Sequence, residues 1–169
     1  LYCRIDRRRK IPATIVLRAL EMSTEEILEN FYEVDDYVLD KETVATKLVP
    51  SRLRGNTLNE DLKIRNSVIV EANKRITARH IRQLESLKTD ILKLSKNYLL
   101  GKVIAKDVVD SETGEVVLTA NTTIDEHVIS LLEENKITNI SCLYINELDK
   151  GPYISKTLSN DPTSNKLEA

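Results

Sequence analysis

Three observations predict a mixed α+β fold. Short runs alternate apolar and polar residues with a period of two, most clearly in GKVIAKDVVDSETGEVVLTA on both sides of Gly114. Capped amphipathic stretches of helical length lie between these runs. The two kinds of stretch are interspersed without the regular spacing of βαβ units, which excludes a doubly wound parallel sheet.

The elements follow in order. Leu1, Cys3 and Ile5 alternate with Tyr2, Arg4 and Asp6, which predicts a strand extending toward Arg8. Pro12 suits the start of a helix, where its missing N–H costs nothing, and Ala13, Val16, Leu17 and Leu20 then recur at the spacing of a core-facing stripe. Ser23 with Glu26 forms a capping box for a second helix, whose buried stripe is Ile27, Leu28 and Phe31. YVLDKETVATKLV reads as a hairpin closed by Pro50 and SRLRGN, and SVIVEANKRI as a further strand. ITARHIRQLESL is a helix capped by Thr77, with Ile76 and Ile81 spaced as a hydrophobic staple. After the Gly114 hairpin, Asp125 caps EHVISLLEEN with Ile124 and Ile129 as a second staple, and ITNISCLYI returns as a strand.

The 169 residues suffice for one ordinary domain or two small ones. No run approaches the roughly 18 apolar residues of a membrane span. A net charge of −2 excludes a globally basic protein, so attraction to nucleic acid has to come from local clustering. Cys3 and Cys142 are too few for a disulfide framework or a four-ligand zinc site, and their apolar, strand-like surroundings predict buried reduced thiols. The initial Leu and an opening strand already under way lead us to expect a piece of a larger chain. In that organisation residues 1–33 and 149–169 form one unit, and residues 34–148 form a mixed, hairpin-rich domain inserted into it.

The sequence offers little catalytic chemistry. The four glycines, Gly55, Gly101, Gly114 and Gly151, are isolated at turns and form neither a Walker loop nor a dinucleotide fingerprint. His80 and His127 lack a second His or a Cys at helical metal spacing, so solvated or capping roles are expected. EVDDYVLDKE has neither the central glycine nor the terminal glutamate of an EF-hand loop and reads as a charged hairpin. No G-x-S-x-G elbow activates a serine. We expect no catalytic residue and no metal ligand in this segment.

The opening RIDRRRK is different, with Arg4, Arg7, Arg8, Arg9 and Lys10 around the single acid Asp6. On a strand running through Arg8, the side chains of Arg4, Asp6 and Arg8 share one face at about 6.6–6.8 Å intervals. Guanidinium groups held this way keep donors for phosphates, and a carboxylate between them can accept from a base edge. The same spacing also fits a purely structural ion-pair ladder.

RIDRRRKIPATIVLRALEMSTEEIL, LVPSRLRG, RITARHIRQLE, GKVIAKDVVDSETGE and GPYISKTLSNDPTSNKL resemble, in this order and over essentially the whole chain, the lobe region of the bacterial RNA polymerase β subunit. The resemblance implies one jaw of the cleft that holds downstream DNA, with residues 34–148 corresponding to a lineage-specific insertion. It implies that the RIDRRRK strand lies beside the pocket for an unpaired non-template base at the downstream edge of the bubble. Asp6 matches the family's acidic residue there, and Arg7 to Lys10 match the basic run that follows. It further implies DNA, the β′, α and ω subunits and a sigma factor as partners, and a cytoplasmic location. The nucleotidyltransferase chemistry and its Mg belong to the assembled enzyme, the metal being held by the other large subunit. With one Phe and no Trp in the chain, the inserted domain lacks stacking aromatics and is expected to contact protein. A free-standing nucleic-acid-binding or transcription adaptor module is the alternative.

Overall fold

The computed structural model describes residues 1–146 and 151–169. Its strands are β1 (Tyr2–Arg4), β2 (Lys10–Pro12), β3 (Glu33–Leu39), β4 (Thr43–Lys47), β5 (Leu62–Ile64), β6 (Ser67–Val70), β7 (Ile91–Ser95), β8 (Val108–Val109), β9 (Val116–Leu118) and β10 (Asn139–Tyr144). Its helices are α1 (Ala13–Ala19), α2 (Thr24–Phe31), α3 (Pro50–Leu53), α4 (Ala78–Ser86), α5 (Glu126–Glu134) and α6 (Tyr153–Ser159), with a 3-10 turn at Lys96–Leu99. The mixed α+β class expected from the sequence is the class observed.

Two compact units divide the chain: Leu1–Asp35 with Gly101–Ile124 and Ser141–Ala169, and Asp36–Leu100 with Asp125–Ile140. This division of packing differs from the expected division of descent into 1–33, 34–148 and 149–169. Residues 101–124, assigned by sequence to the insertion, pack with the flanking segments. The reason is backbone pairing: Ala105 donates to Ser141 at 2.8 Å and Leu143 to Val103 at 2.8 Å, which joins this stretch to β10. The expected boundary between 148 and 149 lies outside the described residues.

In the first unit the local signals act as predicted at α2. Ser23 Oγ accepts from the Glu26 N–H at 3.2 Å while the Glu26 carboxylate accepts from the Ser23 N–H at 2.7 Å, so two otherwise orphaned donors are satisfied. This sets Ile27 and Leu28, both fully buried, against Val103, Ala105, Leu143, Ile154 and Leu158. The Tyr32 hydroxyl donates to the Gly151 carbonyl at 3.0 Å and accepts from the Ser155 N–H at 3.3 Å, fastening α6 beneath α2. The β8–β9 hairpin turns at Gly114, whose φ of +73° is accessible to glycine without steric cost.

α1 departs from expectation. Val16 and Leu20 are exposed, and the buried side chains are Thr14 and Arg18, one turn apart. Leu17 packs against the core of Ile27 and Leu28 as expected, but the periodicity fails at Val16 and Leu20, because the surface covering Thr14 and Arg18 is polar. Thr14 Oγ1 donates to Asp161 at 2.6 Å, and Arg18 donates to the Ser164 carbonyl at 2.9 Å and to Thr24 Oγ1 at 3.0 Å.

In the second unit β4 pairs antiparallel with Tyr37–Leu39 of β3 on one side and with β7 on the other, with Val38 opposite Ala45 and Ala45 opposite Lys93 on one face. The other face buries Tyr37, Leu39, Val44, Leu92 and Leu94. β5 and β6 pair antiparallel and join Leu53, Ile76, Ile81 and Leu84 in the same core as Leu92 and Leu94. Asp125 caps α5 by accepting from the Val128 N–H at 2.8 Å.

Candidate nucleic-acid interface

The charged opening is a hairpin rather than a continuous strand. β1 and β2 are antiparallel, with Tyr2 opposite Pro12, Cys3 opposite Ile11 and Arg4 opposite Lys10. Between them the chain reverses through Ile5–Arg9. The cause is Asp6, whose Oδ1 accepts from the N–H groups of both Arg8 and Arg9 at 2.7 Å. A short acidic side chain that captures backbone donors two and three residues on offers them an alternative to a sheet ladder. The expected face of Arg4, Asp6 and Arg8 therefore does not form, because Asp6 and Arg8 stand in the turn.

Arg4, Asp6, Arg7, Arg8, Arg9 and Lys10 are all exposed. The structure brings Arg4 and Lys10 together as direct cross-strand partners and gathers Arg7, Arg8 and Arg9 at the tip. Like charges directly opposite each other destabilise a strand pair, and an anion lying over both relieves that cost. Lys10 Nζ sits 4.4 Å from the centroid of the Tyr2 ring, a cation–π contact that holds the ammonium on the same hairpin face. Sequence reasoning did not single out Tyr2; its signal was an aromatic residue at a strand position of the same parity as Arg4. The one ion pair at the tip, Arg9 Nε to Asp6 Oδ2 at 4.0 Å, joins exposed side chains and contributes little. Chemically, the arrangement can attract an anion: five cations stand against one carboxylate, and that carboxylate already accepts from the backbone.

The hairpin leads directly into α1, and the Ala13 N–H donates to the Leu1 carbonyl at 3.1 Å. α1 is in turn anchored by Arg18, whose Nε lies 3.5 Å from Asp161 Oδ2 with both side chains buried. Burial pushes the Asp161 carboxyl up. Hydrogen bonds from Thr14 and Thr163, with the Arg18 charge, outweigh it and hold the group below its ordinary value. Arg18 lies inside the opening run, but its partners Asp161 and Ser164 are more than 140 residues away in sequence and left no local signal.

The remaining candidates are structural. His80 Nδ1 accepts from the Thr77 N–H at 3.2 Å and so caps α4, while His127 is exposed on α5. Cys142 is fully buried, its thiol pushed up to about 12 by burial, with Lys102 pulling the other way. Cys3 is exposed on β1, which corrects the expectation of two buried thiols. Among the described residues, no group of three or more His, Cys, Asp or Glu side chains is placed to hold a metal ion. No helix among them is long and apolar enough to cross a membrane. The second unit holds a cavity of about 380 Å³ floored by Leu39, Leu99, Leu132 and Ile137. At its wall Lys96 is paired with Glu133 at 2.6 Å. No protein-family model matches the chain.

Proposed function

We propose that this chain is the lobe of a bacterial RNA polymerase β subunit, and that its basic hairpin holds downstream DNA by the phosphate backbone. The observation that carries the reading is the exposed hairpin itself, with Arg4 set against Lys10 and three arginines at its tip, in a chain of net charge −2. Concentrating cations on one projection of an acidic protein directs a polyanion to that projection. The long runs similar to the β-subunit lobe, from RIDRRRK to SNDPTSNKL, supply the polymerase context. In that context the chain works in the cytoplasm with the β′, α and ω subunits and a sigma factor. The nucleotidyltransferase chemistry and its Mg lie in the other large subunit. Residues 34–148 serve as an inserted domain for protein contacts. Val38 and Ile91, both more than half exposed on the outer face of the second unit's sheet, favour that role.

Salt dependence of duplex DNA binding tests the reading. The chain alone is expected to bind with a dissociation constant of about 10⁻⁴ to 10⁻⁶ M, and replacing Arg8 by Ala should lower the salt slope by about one unit. Tight, salt-resistant, sequence-specific binding by the chain alone would instead identify a free-standing DNA-binding module. A slope unchanged after replacing Arg7, Arg8 and Arg9 together would remove the hairpin from the interface.

A further inference from the structure

We propose that Asp6 is a positioning residue of the basic hairpin: its Oδ1 ties down the Ile5–Arg9 turn and thereby sets the arrangement of the arginines, and it does not read a base. The claim about the turn stands on geometry alone, and the claim about DNA rests on the function proposed above.

The geometry is specific. Oδ1 receives two backbone N–H groups at 2.7 Å, from Arg8 and Arg9, and Oδ2 faces Arg9 Nε at 4.0 Å. A carboxylate oxygen that accepts two short bonds has its lone pairs committed, so Oδ1 is not available to a base edge. Among the described residues, no backbone–backbone hydrogen bond ties residues 6–9 across the turn. A surface built only to attract phosphate gains nothing from an acid at its centre, since the carboxylate repels the ligand. Its presence is explained if the turn cannot hold its shape without it. Asparagine and aspartate both favour this kind of turn, because either side-chain oxygen can accept the same two donors.

That equivalence gives a test in which charge and turn separate. Asp6→Asn and Asp6→Ala both remove the negative charge, but only the asparagine keeps an Oδ1 acceptor. Its amide nitrogen stands where Oδ2 stood, a donor in place of an acceptor. In the 169-residue chain, backbone amide exchange at Arg8 and Arg9 should accelerate about tenfold or more in Asp6→Ala and stay within about twofold of the parent in Asp6→Asn. Equal exchange in the two variants would overturn the proposal, whatever the chain binds. The second measurement uses forked duplex DNA with each of the four bases at the first unpaired position. Asp6→Asn should bind all four as tightly as the parent or tighter, and Asp6→Ala more weakly than Asp6→Asn on all four. A change in preference for one base in Asp6→Asn would mean that Oδ2 reads that base, and would overturn the positioning role. If the parent chain bound no forked DNA, the proposed function would fail, and amide exchange would still decide the turn.

Discussion

Replacing the members of the Arg18–Asp161 pair one at a time should give unequal losses, and the inequality follows from their other partners. The Arg18 side chain is 8% exposed and that of Asp161 is 0% exposed, so removing either leaves the other inside the protein. Breaking such a buried pair typically costs about 3–5 kcal/mol. After Arg18→Met the Asp161 carboxylate still accepts from Thr14 Oγ1 at 2.6 Å, the Thr163 N–H at 2.9 Å and Thr163 Oγ1 at 2.6 Å. We expect the low end of that range, about 3 kcal/mol. After Asp161→Asn the guanidinium keeps the neutral Ser164 carbonyl and Thr24 hydroxyl as hydrogen-bond acceptors, with the exposed Glu168 carboxylate as a weaker, screened charge, and the cost should be about 4–5 kcal/mol. The double variant should lose less than the sum of the two, because no charge is then stranded. Urea unfolding followed by circular dichroism, with amide exchange in α1 and α6 to isolate the first unit, measures all three. The pH dependence has a definite sign. The folded carboxyl of Asp161 lies below its unfolded value, so its contribution is complete above the usual carboxylate range and is lost as pH falls through the folded value. Asp161→Asn should flatten the acid limb of the stability curve. A loss below about 1 kcal/mol for both single variants, or a larger loss for Arg18→Met than for Asp161→Asn, would refute the reasoning.

Two further predictions concern the same unit. Tyr32→Phe removes a donor to the Gly151 carbonyl and an acceptor for the Ser155 N–H; leaving these groups unsatisfied should cost about 1–3 kcal/mol in the same urea titration. An alkylating reagent at neutral pH should label Cys3 and spare Cys142 until the protein unfolds. The reactive thiolate is scarce at a buried thiol pushed up to about 12, and intact-mass measurement counts the adducts.

Elements specified by neighbouring residues were legible in the sequence. The Ser23–Glu26 box, the Asp125 cap and the Gly114 turn each act within a few residues, and each stands where local chemistry puts it. β5 and β7 escaped notice because LKI and ILKLS are too short and too interrupted by lysine to signal alone; their registers come from β6 and β4. The inward face of α1 was misassigned in part, Leu17 meeting the core as expected, for a related reason. Its periodicity pointed to Val16 and Leu20, but the segment covering α1 is the polar stretch around Asp161–Ser164, which selects Thr14 and Arg18 instead. At the candidate interface the residues were identified and their arrangement was not. Period-two alternation from Leu1 to Asp6 is compatible with one long strand, whereas the side chain of Asp6 ends it after Arg4. The packing of residues 101–124 depends on pairing with β10, which begins fifteen residues further along and is invisible to a reading by adjacency.

Cross-linking from the hairpin tip bears most directly on the proposed role. A photoactivatable residue in place of Arg8, in polymerase assembled with this chain in its β subunit, should form an adduct with DNA at the downstream edge of the bubble in promoter complexes. The same residue in place of Val38, on the second unit's outer sheet face, should not. Absence of any DNA adduct from position 8, in complexes that still open the promoter, would contradict a hairpin that holds downstream DNA.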